Sequence, residues 1–167
     1  MTGQIVTDNA TVQELAQQLD DVRRRLHVLE DKEALAGLMN RYCRTSDAKD
    51  WDAWMRCFVE DAEFEFGPFG THVGREKIRE VCEAAEAPYR DMQHSMTNMQ
   101  FEIDGDTATG TAYLWFAGVP DPSNPAEHFD IGGPYRWEFR RTDEGWLLSR
   151  MHLRMAWTRG NEDASVF

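Results

Sequence analysis

The sequence is poor in cysteine, and its cysteines show no spacing suited to metal binding or disulfide pairing. They are Cys43, Cys57 and Cys82, an odd number with no Cys-x-x-Cys pair. This pattern gives no indication of a zinc site or a disulfide scaffold and is typical of a reducing cytoplasm. The motifs HExxH, GxxxxGK[ST], GxGxxG and GxSxG are missing too, so zinc hydrolysis, nucleotide binding and serine-esterase chemistry lack support.

Long apolar runs and an excess of basic residues are also absent. No stretch approaches the roughly 20 apolar residues of a membrane-spanning helix, and residues 1–10 do not resemble a secretory signal. The 18 Lys and Arg against 30 Asp and Glu give a net charge of −12. This charge disfavours nucleic acid and anionic membranes as partners. The cysteine pattern and the lack of a signal-like segment lead us to expect a cytoplasmic protein.

The N-terminal part of the chain carries a heptad pattern. Residues 1–10 are expected to form a loose tail, after which apolar residues recur at alternating spacings of three and four. These residues, here called the N-terminal seam, are Val12, Leu15, Leu19, Val22, Leu26 and Leu29. The seam either packs on its own domain or contacts another subunit, and both interpretations stay open.

The middle of the chain has helical periodicity with one short strand. Asp50 is suited to be an N-cap, Gly37 weakens a helix without breaking it, and Pro88 ends the last helical pattern. Helices are predicted over residues 31–48, 51–59 and 74–87, and a strand over residues 62–66.

After Pro88 the apolar period changes from that of a helix to that of a strand. Strands are predicted over residues 92–103, 107–119, 127–141 and 146–157. Helices followed by long antiparallel strands predict one α+β domain, in which the helices close a curved, cone-shaped sheet. The mouth of such a cone is a common place for a small-molecule site.

Three residues are candidates for chemistry. Asp47 lies at a predicted helix end, Tyr42 five residues before it, and His94 at the start of a strand. Across a closed pocket, Asp47 and His94 would form a carboxylate–imidazole pair, which is a simple general base. The structural alternatives are a turn residue for Asp47, a core tyrosine for Tyr42 and a structural histidine for His94. A change of face near residues 97–99 predicts a bulge in that strand.

The last predicted strand places Arg150, His152 and Arg154 on one face. This face either meets solvent or another subunit, or it lines the cavity. In the second case Arg154 would anchor an oxyanion or a carboxylate.

Several of these segments resemble the SnoaL-like branch of the nuclear-transport-factor-two-like superfamily. The resemblance is carried by residues 42–66, by Gln93-His94 and by the run from Gly145 to Trp157, and it covers roughly residues 28–158. It implies an N-terminal tail and amphipathic helix over 1–27, a SnoaL-like domain over 28–158 and a C-terminal tail over 159–167. Relatives are commonly trimers or dimers, which implies a homo-oligomer.

The resemblance also implies site roles. Asp47 and His94 are similar to the catalytic pair of scytalone dehydratases, and Tyr42 is placed like the acid-side tyrosine of bile acid 7α-dehydratases. The second histidine of scytalone dehydratases has no counterpart in residues 116–119. Tyr42 or a group from residues 120–129 would then have to protonate a leaving hydroxyl. No metal and no organic cofactor is implied.

We therefore expect an NTF2-like cone that acts as a dehydratase-like lyase or an isomerase on a cyclic, terpenoid, steroid or polyketide-like substrate. The alternatives are a non-catalytic small subunit of a ring-hydroxylating dioxygenase and a small-molecule binding module. The residues expected to contact substrate are Trp51, Trp54, Phe66, Met96, Asn98, Tyr113, Trp115, Tyr135 and Arg154.

Overall fold

One continuous helix of 45 residues opens the described part of the chain. The computed structural model describes residues 3–160, with the side chains of all but residues 3–10 and 68. Helix α1 spans Gly3–Asp47, so the predicted tail is helical from Gly3, and the helix predicted over residues 31–48 is the continuation of the N-terminal one. This stretch contains no proline, and a single glycine costs a helix only about 1 kcal/mol. Residues 1–2 and 161–167 of the predicted tails lie outside the described residues.

The chain forms two compact units, one up to Glu33 and one from Ala34 onward. In the first unit every side chain of the N-terminal seam is exposed, from 49% at Leu19 to 63% at Leu29. Within residues 3–160 no helix is apolar enough over a sufficient length to cross a membrane.

The second unit is an α+β fold with one curved sheet, as predicted. The strands are β1 (Phe58–Phe66), β2 (Thr71–Val73), β3 (Asp91–Asp104), β4 (Thr107–Val119), β5 (Phe129–Thr142), β6 (Gly145–Leu153) and β7 (Trp157–Arg159). Their order is β2-β1-β6-β5-β4-β3, and β7 pairs with β5. The sheet is mixed rather than antiparallel throughout, because β1 and β6 run parallel. It is also unclosed, with β2 and β3 at its edges.

Two short α-helices and a 3₁₀ helix (Gly67–Phe69) also belong to the second unit. Helix α2 spans Trp51–Met55, and the Asp50 side chain caps it by accepting from the Ala53 N–H at 3.0 Å. The predicted extension of α2 to residue 59 is wrong, because Phe58 already begins β1. Helix α3 spans Arg75–Glu86.

Two local irregularities shape the sheet. The predicted bulge in β3 is confirmed by a register shift between Thr97 and Gln100. The predicted last strand is interrupted after Leu153, although the N–H groups of Arg154 and Ala156 still donate to carbonyls of β5. Gly133 permits this close approach, since a Cβ there would lie 2.0 Å from the Arg154 carbonyl oxygen.

Candidate active site

A small cavity lies within the second unit, between the helices and the inner face of the sheet. Its volume is about 30 Å³, counted as the space open to the centre of a water molecule. This is room for about two waters, far below the several hundred Å³ of most ligand pockets. Apolar walls come from Phe64, Phe66, Ala85, Leu114, Phe116, Ile131 and Leu153, and polar groups from Tyr42, Cys82, Glu86, Tyr89, His94 and Tyr135.

Asp47 and His94 meet at this cavity. Asp47 is the last residue of α1, which ends because Lys49 adopts a left-handed conformation with φ of 56° and closes the helix in a Schellman motif. His94 lies on the edge strand β3, where its backbone N–H has no strand partner and donates to both Asp47 carboxylate oxygens, at 3.0 and 3.1 Å. Its ring Nδ1 lies 2.7 Å from Asp47 Oδ1.

The contact with Asp47 sets the tautomer of His94. An ionised carboxylate only accepts hydrogen bonds, so Nδ1 carries the hydrogen and neutral His94 has its lone pair on Nε2. The ring is almost fully buried, with 6% of the side chain exposed, and it contacts Phe116 and Tyr42. Burial alone lowers the pKa of His94, but the Asp47 hydrogen bond and the charges of Glu86 and Asp47 outweigh it, and the pKa is raised.

Glu86 is a further acidic group at the cavity, and it was not predicted from the sequence. It is the last residue of α3, and its Oε1 lies 3.7 Å from His94 Nε2. Its Oε2 accepts a hydrogen bond from Ser46 Oγ at 2.8 Å. Burial raises the pKa of this carboxyl, although His94 and Ser46 act in the opposite direction.

A sequence signal for Glu86 existed. Helix α3 buries Ile78, Cys82 and Ala85. Glu86 follows Cys82 by four positions and therefore lies on the same buried stripe. A glutamate within an apolar stripe marks a buried acid, a rare feature that often belongs to a functional site.

Lys49 links the two helix ends that carry the acids. Its Nζ donates to the backbone carbonyls of Glu86 at 3.1 Å and Tyr89 at 2.5 Å. The end of α1, with Asp47, is thus tied to the end of α3, with Glu86. This link holds both carboxyl groups against the same imidazole.

Three tyrosine hydroxyls add polar groups to the cavity. The hydroxyls of Tyr42 and Tyr135 lie 3.5 Å apart, and burial raises the pKa of both side chains. Tyr89 is 1% exposed, and its hydroxyl has no hydrogen-bond partner among the described residues. An unpaired buried hydroxyl is costly, so this one is available to a ligand. No group of three metal-ligating side chains occurs in the described part of the chain.

Of the predicted site residues, Tyr42, Phe66, His94 and Tyr135 line the cavity, and Asp47 lies behind His94. Trp51, Trp54 and Met96, which were also predicted as walls, do not line this cavity. The two tryptophans belong to the buried core, where Trp54 packs between Tyr42 and Phe58, and partly buried Met96 packs against that core.

The remaining predicted contacts are exposed and lie outside the lining of this cavity. Asn98 lies in the β3 bulge with φ of 56°, and Arg154 follows the end of β6. In β4 the inward residues are Leu114 and Phe116, which leaves Tyr113 and Trp115 on the outer face. The threonines at positions 107, 109 and 111 share this outer face. Their alternation with apolar residues in the sequence indicates that this face of β4 is polar.

On the outer face of the sheet, Arg150 and His152 lie against acids of the parallel strand β1. Arg150 pairs with Glu63 at 3.0 Å, and His152 Nε2 lies 3.7 Å from Glu65. The charged face of the last long strand therefore points away from the cavity.

Comparisons with known proteins identify the family. The SnoaL-like domain family matches residues 27–152. A structure from Novosphingobium aromaticivorans, provisionally named an aromatic ring hydroxylase, is 31% identical over 82% of this chain and 97% of its own, with a TM-score of 0.72.

More distant structures share the fold. A provisionally named scytalone dehydratase from the same bacterium is 20% identical over 80% of this chain and 89% of its own, with a TM-score of 0.72. The hexachlorocyclohexane dehydrochlorinase LinA-type3 of Novosphingobium barchaimii is 22% identical over 81% and 93%, with a TM-score of 0.71. No curated protein sequence matches significantly. The chain thus belongs to the SnoaL-like domain family, within the NTF2-like superfamily.

Proposed function

We propose that this protein is a small-molecule lyase or isomerase in which Asp47 and His94 form a general base. One observation carries the proposal, namely the 2.7 Å contact between His94 Nδ1 and Asp47 Oδ1, which leaves Nε2 directed at the cavity. Nε2 would remove a proton from a carbon next to an electron-withdrawing group. Positioned general-base catalysis is worth about 10²–10⁴-fold in rate.

The comparisons support the coarser part of this proposal. Two relatives are named for eliminations, the loss of water and the loss of hydrogen chloride. An elimination of this kind needs a base for the carbon-bound proton and a stabilising group for the departing atom. In this chain the hydroxyls of Tyr42 and Tyr135 face the cavity beside His94 and would donate to a developing oxygen charge.

The expected substrate is a cyclic carbonyl compound, because the cavity walls are apolar and aromatic while its polar groups cluster at His94. Terpenoid, steroid and polyketide-like rings share this character. Since the unliganded volume is only about 30 Å³, such a ring must displace side chains on entry. Phe66 is one candidate, because it is only partly buried and stacks on Phe64 and Phe69.

The proposal is tested by deuterium exchange. Cyclic ketones, from cyclohexanone to a 3-ketosteroid, are first screened by thermal shift, since a ligand that binds the folded state raises the melting temperature. Compounds that bind are incubated in D₂O, and loss of the proton next to the carbonyl is followed by NMR. We expect exchange with the wild type and none with His94→Ala.

Each outcome of this experiment distinguishes between the candidate functions. Binding without exchange would favour a binding module, and exchange that persists in His94→Ala would refute the base. A non-catalytic dioxygenase subunit is the second candidate, favoured by the name of the 31% identical relative. It predicts that hydroxylation by a large partner subunit survives the His94→Ala change.

We further propose a homo-oligomer in which the N-terminal seam pairs with a second copy. The seam is a heptad stripe whose six apolar side chains are all exposed. In a parallel pair, Arg25 of one helix would lie opposite Glu30 of the other, which are g and e positions of opposite charge.

A further inference from the structure

We propose that Glu86 is the proton donor of this site and forms an acid–base pair with His94. This inference rests on the proposed function and deepens it. It supplies the acid for which the sequence offered only Tyr42 or a group in residues 120–129. Both side chains reach the same cavity, from helix α3 and strand β3.

The hydrogen bonds of Glu86 place its proton. Ser46 Oγ donates to Oε2, and with this bond kept in the neutral acid its hydrogen is carried by Oε1. Oε1 is also the oxygen that lies 3.7 Å from His94 Nε2. The transferable hydrogen and the basic nitrogen therefore face the same small space.

Burial, rather than the surrounding charges, opposes the ionisation of Glu86. From α1, Asp47 opposes ionisation and Lys49 favours it, while the Lys49 ammonium donates to backbone carbonyls rather than to the carboxyl. From β3, His94 favours ionisation. Burial is the largest influence, and it leaves the pKa of Glu86 raised.

The remaining neighbours are neutral hydroxyl and thiol groups. Tyr42, Cys82 and Tyr89 all line the same cavity, and burial raises the pKa of each. None of them supplies a positive charge that would force Glu86 to ionise. The ionisation of Glu86 is thus coupled chiefly to that of His94.

Glu86 and His94 share one proton in the active form. With His94 neutral and Glu86 protonated, Nε2 takes the proton from carbon and the C–H electron pair forms the double bond. The C–O bond breaks, and the leaving hydroxyl departs as water with the proton of Glu86. The proton on Nε2 then passes to Oε1, directly or through a water, and this restores both groups without an external reagent.

The assignment predicts that Glu86→Gln separates two steps. Glutamine keeps the neutral shape and can accept from Ser46, but it has no proton to give. With 3-hydroxycyclohexanone as the probe, deuterium exchange next to the carbonyl should continue, while loss of water should fall by about 10²–10⁴-fold. Glu83→Gln is the matched control, because Glu83 is an exposed acid on the same helix.

A spectroscopic measurement tests Glu86 whether or not the probe turns over. Because burial raises the pKa of Glu86, the infrared spectrum of the wild type should keep a carboxylic-acid C=O band as the pH rises above the usual titration range of Glu. The band should vanish in Glu86→Gln and persist in Glu83→Gln. Its absence from the wild type, or unchanged water loss in Glu86→Gln, would overturn the assignment. A wild type that shows the band but no exchange with any bound ketone would instead count against the proposed base.

Discussion

The Asp47→Asn variant tests whether the carboxylate holds His94 in a charge-dependent way. Asp47 accepts the His94 backbone N–H on both oxygens and the ring Nδ1–H on one. Asparagine keeps one oxygen, which is enough for the backbone N–H, and turns its amide towards Nδ1. A hydrogen bond to a charged group contributes about 1.5–3 kcal/mol. We therefore expect a loss of about 2 kcal/mol, or roughly 4–8 °C in melting temperature.

The loss depends on pH, and its sign follows from the raised pKa of His94. A group whose pKa is higher in the folded state stabilises the protein fully below its unfolded pKa, about 6.5 for histidine. That contribution disappears as the pH rises through the folded pKa. The destabilisation by Asp47→Asn should be full at about pH 6 and smaller at about pH 9, where neutral His94 can accept from the Asn amide.

Urea unfolding at the two pH values measures this difference, and imidazole ¹⁵N NMR reports the tautomer and pKa of His94. The variant should lower that pKa and place the hydrogen on Nε2, which abolishes proton abstraction. Asp50→Asn is the control, because asparagine caps a helix as well as aspartate does. An equal loss of stability at both pH values would refute the coupling and leave Asp47 as a backbone acceptor.

Two further predictions concern the seam and the glycines. Leu19→Asp should reduce the mass measured by light scattering to that of a monomer. Gln17→Asp, which lies outside the seam, should leave the mass unchanged. An unchanged mass for Leu19→Asp would contradict the proposed pairing. Gly118→Ala should cost about 1–3 kcal/mol, because its Cβ would lie 2.5 Å from the Tyr89 ring. Gly37→Ala, whose Cβ meets nothing within 4 Å, should instead stabilise α1 by about 0.5–1 kcal/mol; similar melting temperatures for the two variants would contradict this.

Local periodicity predicted the parts of the fold that depend on neighbours in sequence. Strand β4 has the predicted bounds, and the β3 bulge lies where the apolar parity changes. The parallel pairing of β1 with β6 was not predicted, because it joins segments far apart in sequence. The three-residue β2 is too short to show a period.

The site was predictable only where family resemblance added to the residues. Spacing alone left Asp47 as a turn residue and His94 as a structural histidine. The geometry of their contact depends on the last turn of α1 meeting an edge strand, which no local pattern encodes. Tyr113 and Trp115 were predicted to contact substrate because they are aromatic. Aromatic side chains occur on both faces of β4, however, and their size alone does not tell which face is buried.

The narrow cavity also has a consequence for measured affinities. If the form that admits a ring is a minor population of the free protein, the apparent dissociation constant exceeds the intrinsic one by the reciprocal of that population. A state present at about 1% would weaken apparent binding about 100-fold without changing any contact. Trimming a wall residue such as Phe66 would then tighten binding of a bulky ring, the reverse of what loss of apolar surface alone predicts.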